Sequence, residues 1–259
     1  MHTMPRFSAN LGFLWTDRPL PDAIRAAAQA GFAAVELHWP YDVPAAEVRS
    51  ALDETGLPCL SLNTRRGLVD AGEMGLAALP DRIEEARATI EEAITYAQAI
   101  GAQAIHILAG FAAGAEAEAC FQDNLLYGCQ RAATSGMTIL IEPLNHYDAP
   151  HYFLLHNSQT SAIIKFVSST FLKLLFDCYH IQILQGDVSR TLQDCFEDIG
   201  HIQMASVPDR GPPHQGELAY NHIFSLLDRL GYDKPIGAEY KVGTGTTEDT
   251  LSWLQPYRA

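Results

Sequence analysis

The sequence predicts a single-domain α/β fold, the (β/α)8 TIM barrel, in which eight parallel strands alternate with helices. Its 259 residues contain eight short apolar runs, and segments with a helical pattern separate them. Eight such units in about 250 residues is the usual size of this barrel. A doubly wound sheet usually carries a glycine-rich phosphate turn after its first strand, and residues 8–17 have no such pattern. We expect residues 1–259 to form one domain, since no linker or charge block divides the chain.

The apolar runs are the predicted strands, because parallel strands that are buried on both faces have near-continuous apolar sequences. They span residues 7–13, 33–39, 59–64, 104–110, 138–145, 172–180, 201–207 and 236–241. Five intervening segments have helical character, at residues 21–31, 44–56, 80–101, 220–231 and 247–254. The first four end at a glycine, which is common at helix C-termini. The fifth begins with Thr247 and has acids in its first turn, which is typical of a helix N-terminus.

The composition argues against several classes of function. The formal net charge is −14, and a protein of that sign repels phosphate backbones, so we expect no nucleic-acid partner. No apolar run reaches the roughly 18 residues of a membrane span, so we expect no membrane partner. The five cysteines are odd in number and include no C-x-x-C pair, which suits a reducing compartment. Residues 1–13 lack a signal-peptide pattern, and we therefore expect a cytoplasmic protein.

Oxygen-bearing side chains close the last four predicted strands. They are Glu142, Asp177, Gln203 and Glu239. Active sites of these barrels lie at the C-terminal ends of the strands, where such side chains would meet. Alternation along the strand places Glu142 on the inner face with Leu140. Gln203 stands within an apolar run, and a buried amide without a partner costs about 1–3 kcal/mol.

A divalent cation would explain this group of side chains. Three carboxylates packed together would repel, and some would have to stay protonated unless a cation joined them. Carboxylate and amide oxygens are hard ligands, which favours Mg²⁺ or Mn²⁺ over Zn²⁺. We therefore predict a metal site at Glu142, Asp177, Gln203 and Glu239. Two local alternatives stay open: Asp177 could cap a helix or form an ion pair, and Gln203 could bond to neighbouring backbone.

Histidines and cations near the strand ends are candidates for substrate binding. His180 lies three residues past Asp177, and His106 and His38 lie in the fourth and second runs. Arg210 follows the seventh strand, and an acidic protein needs local positive charge to receive an anion. Further candidates for that task are Lys241, on the same predicted face as Glu239, and Arg65 and Arg66. Each of these residues also has a purely structural or solvated interpretation.

Several motifs together resemble one enzyme family. They are "RFSANL", "GFAAVELHWPYD", "AGEMGLAALPDR", "IEPLNHYDAPHY", "FDCYHIQ", "GHIQMASVPDRG" and "GAEYK", and they extend over nearly the whole chain. The pattern is similar to the hydroxypyruvate isomerase and 2-oxo-tetronate isomerase branch of the xylose-isomerase-like barrels. That wider group also includes tagatose epimerases and apurinic endonucleases.

The resemblance implies an aldose–ketose isomerisation that needs a divalent metal ion and no nucleotide cofactor. Glu142 and Glu239 match the catalytic acid–base pair of the family, and together with Asp177 and Gln203 they match its metal positions. His180 and Arg210 match positions that contact substrate in the wider group, and His106 and Lys241 are included as substrate-binding candidates. The wider group commonly has histidine where this chain has Gln203, and the isomerase branch has glutamine. A homo-oligomer is compatible with the sequence.

The expected reaction interconverts hydroxypyruvate and 2-hydroxy-3-oxopropanoate (tartronate semialdehyde), so the expected partner is a small anionic 2-oxo-hydroxy acid. Glu142 and Glu239 lie three strands apart in a ring of eight, and they would face each other across the barrel. The segments "PHYFLLHNSQ" and "VPDRG" are more similar to the tetronate branch. A 2-oxo-tetronate isomerase and a ketose 3-epimerase therefore stay as alternatives. The net charge and Gln203 argue against a phosphoester hydrolase, and the facing glutamates argue against a non-catalytic sugar-binding barrel.

Overall fold

Eight strands form one parallel sheet that curves into a barrel. The computed structural model describes residues 4–257. Its strands are β1 (Phe7–Asn10), β2 (Ala34–Glu36), β3 (Ser61–Asn63), β4 (Ala104–His106), β5 (Thr138–Ile141), β6 (Leu172–Asp177), β7 (Ile199–Met204) and β8 (Ile236–Ala238). The order in the sheet is β2-β1-β8-β7-β6-β5-β4-β3. A parallel bridge from Val35 on β2 to Cys59, just before β3, brings the two ends together. The predicted barrel is confirmed.

Helices connect successive strands. They are α1 (Leu20–Ala30), α2 (Ala45–Thr55), α3 (Ile83–Ile100), α4 (Ala115–Ala133), α5 (Asn157–Val167), α6 (Cys178–Leu184), α7 (Val188–Asp194) and α8 (Tyr220–Leu230). The first four predicted helical segments contain α1, α2, α3 and α8, and each ends at a left-handed glycine, such as Gly101 with φ 76°. Helices α4 to α7 lie outside the predicted segments. No helix within residues 4–257 is long and apolar enough to cross a bilayer.

The fifth predicted segment forms a 3₁₀ helix rather than an α-helix. It spans Glu248–Tyr257 and includes Pro256, which has no backbone N–H to donate. The hydroxyl of Thr247 accepts the backbone N–H of Trp15 at 2.7 Å. The residue predicted as the N-cap therefore ties this segment to the loop that follows β1, while the hydroxyl of the preceding residue, Thr246, accepts the backbone N–H of Asp249 at 3.4 Å.

The interior of the barrel is separate from the core between sheet and helices. Ile139 on β5 belongs to the large apolar core, whereas Leu140 belongs to a small buried cluster with Ala104 and Leu175. This alternation agrees with the predicted orientation of β5. Glu142 lies two residues beyond Leu140 and is buried on the same inner side, where the site is built.

Candidate active site

The C-terminal ends of the strands surround a cavity of about 250 Å³. Seven of the predicted candidates line it: Glu142, Glu239, Gln203, His180, Arg210, His106 and His38. Asp177 does not line it; its Oδ2 lies 3.7 Å from His180 Nε2, and the residue is 1% exposed. The fold thus brings together side chains from strands that are far apart in the sequence.

Three buried oxygens beside this cavity lack a hydrogen-bond partner among residues 4–257. They are Oε1 of Glu142, Oδ2 of Asp177 and Oε1 of Gln203. Ligand atoms of Glu142, Asp177 and His180 lie within 4.8 Å of one another. Burying polar oxygens without a hydrogen-bond partner is costly, and a divalent cation would satisfy all three, including Asp177 Oδ2, which lies 3.7 Å from Arg210 Nη2. The carboxylate oxygens of Glu142 and Asp177 and the amide oxygen of Gln203 are hard ligands, so these residues fit Mg²⁺ or Mn²⁺.

The two carboxylate oxygens of Asp177 have different contacts. It stands at the end of β6 and is also the N-cap of α6, where its Oδ1 accepts the backbone N–H of Tyr179 at 2.9 Å. The other oxygen, Oδ2, lies 3.7 Å from His180 Nε2. The helix-cap interpretation of Asp177 is therefore correct for one oxygen, and the second remains available as a ligand.

The amide of Gln203 is held through its nitrogen. Nε2 donates to Glu36 Oε2 at 2.7 Å and lies 3.4 Å from Glu239 Oε1. The side-chain oxygen of Gln203 is buried and has no partner within the described residues. The amide's strongest contact is thus with the carboxylate of Glu36, across the barrel, and its oxygen is left for a ligand.

Glu239 is surrounded by donors. Its Oε1 accepts from Asn10 Nδ2 and lies 2.9 Å from His38 Nε2, while its Oε2 accepts from Arg210. Burial opposes ionisation, but the charge of Arg210 and the contact with His38 prevail and lower the pKa of Glu239 to about 2. Glu239 is therefore a carboxylate that the protein itself stabilises in the charged form.

Glu142 has the opposite environment. Burial, reinforced by the charges of Glu239 and Asp177, raises its pKa well above the usual range. Two imidazoles lie close to its carboxyl oxygens, with His106 Nδ1 at 3.7 Å and His180 Nε2 at 4.0 Å. Burial lowers the pKa of His106 to about 4, so this ring is neutral near pH 7. The two glutamates that were predicted as a catalytic pair thus differ strongly in their surroundings.

The ring of His180 has a defined tautomer. Its Nδ1 accepts the backbone N–H of Asn145 at 2.9 Å. Burial and the charge of Arg210 lower the pKa of His180 well below its usual value, so the ring is neutral. A neutral imidazole that accepts at Nδ1 carries its proton on Nε2. His180 therefore presents an N–H donor to the cavity rather than a metal-ligating lone pair.

Both terminal nitrogens of Arg210 contact protein carboxylates, while its buried Nε has no hydrogen-bond partner among the described residues. Nη1 donates to Asp148 Oδ2 at 3.0 Å, and Nη2 donates to Glu239. The guanidinium carbon lies 4.7 Å from the centroid of the Phe13 ring and 4.9 Å from that of Tyr179. Aromatic faces stabilise a cation placed over them, so these contacts hold Arg210 in place. Its proposed partner, a substrate carboxylate, would have to approach a cation that is already paired.

A family model described as "Xylose isomerase-like TIM barrel" matches residues 24–257. The chain belongs to this family. It is 45% identical to a 2-oxo-tetronate isomerase of Cupriavidus necator, over 98% of this chain and 99% of that protein. It is 37% identical to a hydroxypyruvate isomerase of Escherichia coli, over 98% of this chain and 100% of that protein.

Solved structures agree with this assignment. A crystal structure described as an AP endonuclease, family 2, from Brucella melitensis superposes with a TM-score of 0.95 and 37% identity, covering 99% of this chain and 100% of that one. A D-psicose 3-epimerase from Clostridium cellulolyticum superposes with a TM-score of 0.79 at 14% identity, covering 95% of this chain and 89% of that one. The second likeness is one of fold alone.

Three further cationic side chains that were predicted as candidates to bind an anion do not line the cavity: Lys241, Arg65 and Arg66. Lys241 has an exposed side chain and does not line the cavity. Arg65 pairs with Glu92, and the guanidinium of Arg66 lies 4.0 Å from the ring centroid of Trp39, a cavity-lining residue. The structure thus does not bring Lys241 to the site, although alternation after Glu239 predicted it there.

The polar residues of the site that were not predicted include Asn10, Glu36 and Asp148. Asn10 ends β1 and Glu36 ends β2, and both hold groups of the acidic centre, as Asp148 holds Arg210. For the first two, the signal was present: each is a polar residue at a strand end, as Glu142 is. Asp148 lies in the loop after β5, where no periodic pattern indicates its direction.

Proposed function

We propose that the protein is an isomerase of small 3-hydroxy-2-oxo acids that interconverts hydroxypyruvate and 2-hydroxy-3-oxopropanoate. The observation that carries this proposal is the set of three unpartnered buried oxygens, on Glu142, Asp177 and Gln203, beside a cavity that Glu239 also lines. Relatives of full length that are named as isomerases support it. A cavity of about 250 Å³ suits a substrate of a few carbon atoms.

The oxygens of Glu142, Asp177, Gln203 and Glu239 would hold a divalent ion, with Mg²⁺ or Mn²⁺ proposed. When bound, such an ion supplies Lewis acidity, which stabilises negative charge that develops on a substrate oxygen. The net charge of these four side chains explains why a cation is needed before an anionic substrate enters.

Proton transfer is assigned to the two glutamates. One carboxylate removes a proton from C3 of hydroxypyruvate, which gives an enediolate, and the other delivers a proton to C2. The C3 hydroxyl loses its proton while the C2 oxygen gains one, so that the carbonyl moves from C2 to C3. The Nε2–H of His180 is proposed to donate to a substrate oxygen. Arg210 is proposed to provide positive charge for the substrate carboxylate while it stays paired with Glu239.

A second candidate substrate is 2-oxo-tetronate, which has one more hydroxylated carbon than hydroxypyruvate. It is favoured by the 45% identity to the Cupriavidus necator 2-oxo-tetronate isomerase. Both substrates require the same proton transfer between neighbouring carbons and the same charged end. The two candidate substrates therefore differ in the space that they need in the cavity beyond the reacting carbons.

Localisation and partners are proposed on chemical grounds. All five cysteines are buried and free, which suits a reducing compartment, and we propose a cytoplasmic location. The net charge of −14 supports a small-molecule partner rather than a nucleic acid.

Proton exchange in heavy water tests the proposal directly. The protein is incubated in D₂O with hydroxypyruvate, 2-oxo-tetronate or a ketohexose, each with EDTA and after addition of Mg²⁺ or Mn²⁺. We expect deuterium at the reacting carbons of a 3-hydroxy-2-oxo acid, loss of exchange with EDTA and recovery with metal. Exchange on the ketohexose alone would indicate an epimerase instead. Exchange that persists unchanged in EDTA would contradict the metal site.

A further inference from the structure

A buried glutamate that the proposed reaction does not use contacts Gln203, one of the proposed metal ligands. Glu36 ends β2 and is 1% exposed, and it does not line the cavity. Three potential donors surround its carboxylate. Gln203 Nε2 lies 2.7 Å from Oε2, His201 Nε2 lies 3.0 Å from Oε1, and the hydroxyl of Ser8 also donates to Oε1.

The contact of Glu36 with Gln203 determines the orientation of the Gln203 amide. The two ends of a glutamine amide are nearly equal in size, but only the oxygen has lone pairs for a cation. An ionised carboxylate is an acceptor only, so it selects the NH₂ group. With Nε2 on Glu36, the oxygen of Gln203 points away from that contact, and it is the atom without a partner in the described structure.

Strand β8 leaves room for this contact. Gly237 pairs with Gln203 in the register between β7 and β8. A Cβ atom at Gly237 would lie 2.4 Å from Glu36 Oε1 and 2.7 Å from Gln203 Cγ. Both distances are too short for a real side chain, so the glycine permits Glu36 and Gln203 to approach each other inside the barrel.

We propose that Glu36 is a positioning residue that keeps the oxygen of Gln203 directed at the divalent cation. The inference rests on the metal site of the proposed function. Groups that orient metal ligands without touching the ion typically contribute about 10–100-fold to metal affinity. Replacing Glu36 by glutamine provides a group that can donate as well as accept. Only the longer contact of Gln203 Nε2 with Glu239 Oε1, at 3.4 Å, then still favours the present orientation, so the amide of Gln203 can reverse more easily and present its NH₂ group.

Exchanging the two residues separates orientation from mere packing. In Gln203→Glu alone, two carboxylates would meet where Nε2 now lies 2.7 Å from Oε2, and repulsion would disturb the site. In the double variant Glu36→Gln/Gln203→Glu, the amide introduced at position 36 donates its NH₂ group to the carboxylate introduced at position 203. That carboxylate then has a free oxygen for the cation. Ser8→Ala serves as the matched control, because it removes a donor to Glu36 and leaves the contact with Gln203 intact.

The test is Mn²⁺ affinity by isothermal titration calorimetry on chelator-treated protein, with a thermal melt of each variant to confirm folding. We expect Glu36→Gln and Gln203→Glu each to weaken Mn²⁺ binding at least about tenfold. We expect the double variant to recover to within about threefold of wild type or to bind more tightly, and Ser8→Ala to stay within about threefold.

The outcomes are distinguishable. A folded Glu36→Gln variant that binds Mn²⁺ within about twofold of wild type would overturn the inference while leaving the metal site intact. If Glu36→Gln does not fold, the double variant decides: binding supports the inference, and a folded double variant without binding overturns it. Wild-type protein that does not bind Mn²⁺ would instead remove the metal site, and the inference with it.

Discussion

The guanidinium of Arg210 forms a buried ion pair with the carboxylate of Glu239. The side chains of both residues are about one-tenth exposed, and Asp148 completes the fork of Arg210 at 3.0 Å. The rings of Phe13 and Tyr179 also contact the guanidinium. Arg210 therefore holds a proposed catalytic residue in place, in addition to its proposed role toward the substrate.

Replacement of Arg210 should affect stability and turnover together. Arg210→Ala would leave the buried Glu239 and the partly exposed Asp148 without their cation, and breaking a buried ion pair such as that with Glu239 typically costs about 3–5 kcal/mol. We expect a lower free energy of unfolding by urea titration, together with a fall in kcat that exceeds the change in KM. Arg190→Ala, at an exposed ion pair with Asp187, is the matched control and should change neither. A variant at 210 that raised only KM would assign Arg210 to substrate binding alone.

Neutralising either glutamate of the pair should stop turnover. Glu142→Gln and Glu239→Gln keep the size of the side chain but remove its ability to accept a proton from carbon. General acid–base catalysis typically contributes about 10²–10⁴-fold, so we expect kcat to fall by at least about 100-fold at saturating metal. Metal affinity is measured in parallel, because both residues are proposed ligands. Glu116→Gln, on the exposed start of α4, is the control. Retention of one-tenth of kcat by either variant would refute the two-base mechanism.

The sequence predicted those features that depend on local pattern. Eight alternating units predicted the barrel. Position at the end of a strand predicted Glu142, Gln203 and Glu239, which line one cavity, and Asp177, which has a ligand atom within 4.8 Å of those of Glu142 and His180. The prediction for Lys241 extended strand alternation beyond β8, which ends at Ala238, and its side chain is exposed. Period-two alternation holds only while the chain remains extended.

Contacts between distant segments could not be predicted in the same way. Glu36 and Gln203 are 167 residues apart, and their contact depends on the closed sheet and on Gly237 between them. The pairing of Arg210 with Glu239 and Asp148 depends on the course of two loops. Loop geometry is not encoded in hydrophobic periodicity. Arg210 was therefore predicted as a site residue, and its ion pairs with Glu239 and Asp148 were not.

Relative to Asp177→Asn, chelator-treated wild-type protein should lose stability as the pH rises from about 4 to about 7. Burial raises the pKa of Asp177 from 3.8 to about 7, against the opposing charge of Arg210. At this residue the folded state therefore binds more protons than the unfolded state in this window, and its contribution to stability falls as pH increases. One proton corresponds to about 1.4 kcal/mol per pH unit. His106 and His180, whose pKa values are lowered by burial, contribute in the opposite direction in both proteins, so the difference between the two proteins is the quantity to measure. In urea titrations across this range, the slopes of unfolding free energy against pH should differ by about one proton between wild type and Asp177→Asn. An equal slope in both proteins would contradict the assignment to Asp177.

Substitutions at Asp177 should also separate its two tasks. In Asp177→Asn the side-chain oxygen can still accept the N–H of Tyr179, which places the NH₂ group where Oδ2 now faces the proposed cation. An NH₂ group has no lone pair for a metal, so we expect Mn²⁺ binding to be lost as completely as in Asp177→Ala. Both variants lack the charge, and therefore their difference in unfolding free energy isolates the helix cap. We expect the alanine variant to be less stable by about 0.5–2 kcal/mol, the usual contribution of an N-cap. Calorimetry gives the affinity, and urea titration gives the stability. An asparagine variant with near wild-type Mn²⁺ affinity would show that Oδ2 is not a ligand, and equal stability of the two variants would show that the cap contributes nothing.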